Sequence, residues 1–136
     1  MLVCGQVNPP PVEENGVYFS VQDNFEDKAK ALQGLPLRVE HNSKCHVGKV
    51  ISGWVCPSNG SMWALAEIDT KHFGGAVAAA AVEKGCFKEF SLGYKTKMEW
   101  NPADRTIECK KKEILELSIV KKGARDGCQI LYKEKK

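Results

Sequence analysis

Most of this chain is written as short alternating runs cut by turn residues, and that punctuation limits the folds open to it. Leu35-Pro36-Leu37-Arg38-Val39 alternates apolar and polar residues and reads as a half-buried strand with a proline near its start. Val47–Val55 reads as a second strand, kinked or bulged near its glycines, and Ser61–Ile68 as a third. The Pro57-Ser58-Asn59-Gly60 turn between them predicts a hairpin over 47–68. Phe87–Met98 and Arg105–Val120 form another pair around Asn101-Pro102-Ala103-Asp104.

Only two stretches read as helix. Asp23 or Asn24 would cap a short one that runs to Leu32 and stops at Gly34. Asp69 or Thr70 would cap an alanine-rich one that ends at Gly85. The expected fold class is therefore mainly β with flanking helices (α+β), a compact and mostly antiparallel barrel or sandwich with one or two helices packed on it. The chain is expected to be one domain over 1–136. Residues 1–16 are expected as an extended, proline-rich N-terminal segment ahead of a strand at Val17–Val21, and 129–136 as an edge strand or tail.

Composition excludes more than it selects. The net charge of +3 sits partly in Lys110-Lys111-Lys112 and Lys133-Glu134-Lys135-Lys136, which reads as a solvated basic face and argues against a nucleic-acid partner. A stretch with aromatics between basic residues, Tyr94-Lys95-Thr96-Lys97-Met98-Glu99-Trp100, is interrupted by Glu99. No run approaches the roughly 18 apolar residues of a membrane helix, and the start lacks the pattern of a signal peptide, so the expectation is a chain neither membrane-bound nor secreted. The six cysteines contain no C-x-x-C pair and read as reduced, mostly buried thiols. His41, Cys45 and His46 fall within six residues, but no second ligand pair stands elsewhere, so no metal and no cofactor is expected.

Three segments could carry chemistry. His41 ends a strand where the pattern turns polar. Ser91 lies between Phe90 and Leu92, with Gly93 two places on; such a serine could be an exposed nucleophile whose glycine admits a substrate backbone. Glu113-Ile114-Leu115-Glu116-Leu117-Ser118-Ile119-Val120 sets two carboxylates in an apolar strand, which is costly unless each is paired or hydrogen-bonded. Alternation sends Glu113 and Glu116 to opposite faces unless a bulge intervenes. A serine, a histidine and a buried carboxylate are the ingredients of acyl transfer.

These segments resemble a known family. Leu35–Asn42 followed by Val47-Gly48-Lys49-Val50 resembles the stretch of the herpesvirus assemblins that carries their first catalytic histidine. Phe90-Ser91-Leu92-Gly93-Tyr94 is similar to the nucleophile segment of the related prohead proteases of tailed phages, and Glu113–Val120 resembles their Glu-Leu-x-Glu-Val-Ser-x-Val motif. The three stand in the family's order, with His41 and Ser91 separated by 50 positions.

The resemblance implies a barrel of the assemblin type and a serine endopeptidase of capsid maturation, with Ser91 as nucleophile and His41 as base. Its substrates would be the viral scaffold and major capsid protein, and its own precursor. It would act inside the assembling procapsid of the infected cell. Aligning on Ser118-Ile119 puts Glu113 where assemblins have a second histidine, which favours it slightly as third member, while Glu116 matches the second Glu of the phage motif. Lys121 and Lys122 stand where assemblins carry an Arg-Arg pair serving the oxyanion; the charge is kept and the planar fork lost. The chain is shorter than an assemblin, so a homodimer is left open. The rival reading is a non-catalytic capsid-assembly scaffold module that keeps the fold.

Overall fold

A computed structural model describes residues 1–9, 12–14, 17–19, 26–103, 105–123 and 127–134. Numbered in chain order, the strands are β1 (Leu2–Asn8), β2 (Val12–Glu14), β3 (Val17–Phe19), β4 (Pro36–Val39), β5 (Asn42–Val55), β6 (Met62–Ile68), β7 (Glu89–Asn101), β8 (Thr106–Val120) and β9 (Ile130–Glu134); the helices are α1 (Glu26–Lys30) and α2 (Phe73–Glu83).

The predicted hairpin is β5–β6, closed by a Gly60 amide that donates to the Cys56 carbonyl at 2.8 Å. On β6 the alternation is strict: Met62, Ala64, Ala66 and Ile68 are buried and the residues between them are not. Around this hairpin runs a seven-stranded sheet in the order β7-β8-β4-β5-β6-β1-β9. Its two ends meet, because the Phe90 amide donates to Cys128 O at 2.7 Å and the Ile130 amide to Lys88 O at 2.8 Å. The result is a nearly closed barrel, as the alternating pattern and the resemblance imply. β2 and β3 form a separate two-stranded sheet.

Within the large sheet, β4 and β8 are the parallel neighbours, paired over Leu37–Val39 and Leu117–Ile119. All other pairs are antiparallel. The core lies inside the barrel, where Val3, Leu37, Val50, Phe90, Leu117 and Ile119 are fully buried. Val82 and Ala78 of α2 and Leu32 just past α1 seal it from outside the strands.

Three expectations need correction. The first residues are not a mere extension: Leu2–Asn8 is a full strand between β6 and β9, because Val3 and Val7 alternate into the core. The C-terminal segment takes the edge-strand alternative: β9 is last in the sheet order and pairs with β1, and the residues leading into it close the barrel on β7. β5 begins at Asn42 and not near Val47, though Ser43–Cys45 have no partner on β4. The cap of α2 is His72, whose Nδ1 accepts the Gly75 amide at 3.2 Å; Asp69 instead accepts the Lys71 amide in the turn before it. Gly85, with φ +78°, stops that helix where predicted. The proposed caps of α1, Asp23 and Asn24, lie outside the described residues, as does the end of the Val17–Val21 strand.

Candidate active site at the β4–β5 turn

The parallel β4–β8 pair decides where His41 goes. β4 runs alongside β8 as far as the Val39–Ile119 pair, and the chain then reverses at once, because Val39 faces Asn42 in the ladder with β5. Glu40 and His41 are the two turn residues, with φ of 50° and 58°. A two-residue hairpin turn with both φ positive is the type I′ geometry, normally the province of Asn and Gly. For Glu and His it stores strain of about 1–3 kcal/mol per residue.

β8 offsets that strain by gripping the turn. The Glu40 amide donates to Ile119 O at 3.1 Å, the His41 amide donates to Ser118 Oγ at 3.1 Å, and Glu40 Oε1 accepts the Lys121 amide at 2.9 Å. The imidazole is thus held over β8 by its own backbone.

Both ring nitrogens of His41 meet a partner. Nδ1 is 2.5 Å from Glu116 Oε1, and Nε2 is 2.9 Å from Ser91 Oγ. The carboxylate can only accept, so Nδ1 carries the proton. The Nε2 lone pair of the neutral ring then points at the Ser91 hydroxyl. Glu116 is 3 % exposed and its second oxygen accepts the Ser118 hydroxyl at 2.7 Å. Two charge-assisted hydrogen bonds make its burial tolerable. His41 itself is well exposed, so the ring is open to a substrate.

Gly93 completes the arrangement, though not by admitting a substrate backbone. It faces Glu116 across the β7–β8 ladder, and a Cβ there would stand 2.1 Å from Glu116 Oε1. The space beside Ser91 that the glycine leaves is filled by the carboxylate.

Of the two candidate acids, the fold brings Glu116 to His41. Glu113 stands exposed, opposite Lys95. A bulge separates them: Gly93 pairs with Glu116 and Tyr94 with Ile114, which leaves Leu115 unpaired and 41 % exposed. Lys121 and Lys122 are exposed at the end of β8. The Lys121 amide is taken by Glu40, and the Gly123 amide donates to Glu89 Oε1 at 3.2 Å; the Lys122 amide has no partner among the described residues.

His46 and Cys45 do not join His41. The Nε2 of His46 donates to Gly48 O at 2.6 Å, and among the described residues no three metal-ligating side chains converge. Cys4, Cys45, Cys56 and Cys86 are free thiols. Burial pushes the Cys4 thiol up, while hydrogen bonding with Ser58 lowers that of half-buried Cys56. Neither is near the site. No described helix is long and apolar enough to cross a membrane. Most side chains of Tyr94–Trp100 lie outside the described residues.

Sequence reasoning missed the Glu40–His41 turn and the part of Glu40 in it. Nothing in a Glu-His pair signals positive φ. The Glu116–Ser118 contact did have a signal, since the two share a strand face two residues apart.

No family model matches the sequence, and no curated protein matches it significantly. The fold does have counterparts among solved structures. Kaposi's sarcoma-associated herpesvirus protease in complex with an allosteric inhibitor superimposes with a TM-score of 0.61 at 15 % identity, over 98 % of this chain and 78 % of that one. The same protease with a hexapeptide phosphonate inhibitor gives 0.66 at 16 % identity, over 98 % of this chain and 65 % of the other. Its complex with a dimer disruptor gives 0.58 at 16 % identity, over 95 % and 73 %. Despite the low identity, this chain has the fold of the herpesvirus assemblins.

Proposed function

We propose that this chain is a serine endopeptidase in which Ser91 attacks the scissile carbonyl, His41 takes its proton and Glu116 orients and charges the imidazole. The observation that carries the reading is the continuous relay Ser91 Oγ–His41 Nε2, His41 Nδ1–Glu116 Oε1, held on a strained turn. Strain kept at a site whose neighbours over-determine it is characteristic of function. In the forward step the Ser91 proton moves to Nε2 as the Oγ–C bond forms. The imidazolium is stabilised by Glu116 and then gives that proton to the leaving amine. Water deacylates the enzyme by the same route. We assign the oxyanion donor to the Lys122 amide, which has no partner among the described residues; one lost donor of this kind typically costs about a hundredfold or more in rate.

The fold supports the finer reading, a maturation protease that cuts scaffold and capsid proteins, and its own precursor, within a viral procapsid. The hexapeptide phosphonate bound by the herpesvirus protease points the same way, since a phosphonate imitates the tetrahedral intermediate of acyl transfer. The test is digestion of a peptide library followed by mass spectrometry, with wild type beside Ser91→Ala. Wild type should give discrete internal cuts and the variant none. Equal patterns, or no cuts from either, would return the chain to the reading of a non-catalytic assembly module.

A further inference from the structure

The strand face that holds Ser91 continues past the relay. Ladder partners point to the same side of a sheet, and the register runs Ser91, Ser118, Arg38, His46 across β7, β8, β4 and β5. Beyond Ser118 this face opens into a cleft of about 790 Å³, lined among others by Arg38, His46, Lys49, Glu67, Asp69 and Lys71.

Several of these groups have neighbours within the fold: Lys49 stands opposite Glu67 in the β5–β6 ladder, Asp69 accepts the Lys71 backbone amide, and His46 donates to Gly48 O. Arg38 is set apart by burial. Its Nε is shielded from solvent and has no hydrogen-bond partner among the described residues. A guanidinium cannot shed its charge to relieve this, and a shielded donor without an acceptor is costly. Its planar fork suits a carboxylate, which can accept two N–H bonds at once.

We propose that Arg38 is a specificity-determining residue of the protease described above, receiving the carboxylate of an Asp or Glu side chain of the substrate. The proposal rests on the serine protease reading. Arg38 stands two strand spacings from Ser91, roughly 10 Å, and an extended peptide advances about 3.3 Å per residue. The acidic residue therefore lies about three positions from the scissile bond. Directly beside Ser91 the face is occupied by Ser118 and Glu116, so the nearest subsites carry no such preference.

The experiment uses fluorogenic peptides blocked at both ends, so that side chains are the only source of carboxylates. Around a cleaved core sequence, Glu, Gln and Lys are exchanged at each position from four before to four after the bond. Wild type should prefer Glu over Gln at one position by about tenfold to a hundredfold in kcat/KM, the range of a charge-assisted hydrogen bond. The preference should shrink with added NaCl. In Arg38→Gln or Arg38→Met the ratio should fall to near one, and in Arg38→Glu it should turn in favour of Lys. The wild-type ratios need no variant to fold. Cleavage with ratios near one everywhere, or an Arg38→Gln enzyme that keeps the wild-type ratio, overturns the Arg38 assignment and leaves the protease standing. If wild type cleaves nothing, the protease reading fails and takes this one with it.

Discussion

The two halves of β8 carry an acid each and treat them in opposite ways. From Glu116 to Val120 every residue is buried, with β7 on one side and β4 on the other. From Glu113 to Leu115 the strand has lost β4 as a neighbour, because that pairing covers only Leu117–Ile119. There Glu113 and Leu115 stand in solvent. The same residue type thus becomes a buried carboxylate hydrogen-bonded to His41 in one half and a surface charge in the other. What differs is the third strand, which brings the His41 turn and removes water.

The sharpest way to break this contrast is to remove the ring that defines it. His41→Ala should lower kcat by about 10⁶-fold, as far as Ser91→Ala does, because members of one catalytic unit are not additive. Next comes the pair of acids. Glu116→Gln should cost about 10⁴-fold in kcat, through the lost counter-charge and, where the amide N–H faces Nδ1, the wrong imidazole tautomer. Glu113→Gln, read in the same assay, should stay within about twofold of wild type, as an exposed charge does. Equal losses from both would dissolve the difference between the halves.

Two smaller effects sharpen it. Gly93→Ala should displace the Glu116 carboxylate, since the new Cβ would lie 2.1 Å from Oε1, and cost about a hundredfold in kcat. KM should change far less. Ser118→Ala removes a buried hydroxyl that accepts from the His41 amide and donates to Glu116. Denaturant unfolding should show about 1–3 kcal/mol lost, with a smaller fall in kcat.

Much of this was legible in the chain before folding. The hairpin at Pro57–Gly60, the stop at Gly85 and the burial of the Leu35–Val39 stretch follow from turn chemistry and alternation, which are local. So was the pairing of Ser91 with His41, through the resemblance of their segments. The choice between Glu113 and Glu116 was not, because it depends on a bulge at Leu115 and on where β4 ends, and both are set by strands distant in sequence. The turn at Glu40-His41 was hidden for a related reason. Its positive φ values are held by hydrogen bonds to Ser118 and Ile119 and from the Lys121 amide, and nothing local favours them. β1 escaped because the three prolines after Asn8 drew the reading of the whole segment toward an extended tail.

The central claim is that the imidazole held by Glu116 activates Ser91, and labelling tests it without knowledge of the substrate. The full chain is incubated with a fluorophosphonate probe, and the modified residue is located by peptide mass mapping. The account predicts one adduct, on Ser91, formed rapidly in wild type, slowed by orders of magnitude in Glu116→Gln and absent in His41→Ala. No adduct on wild-type Ser91, or an adduct that forms as fast without His41, would contradict it.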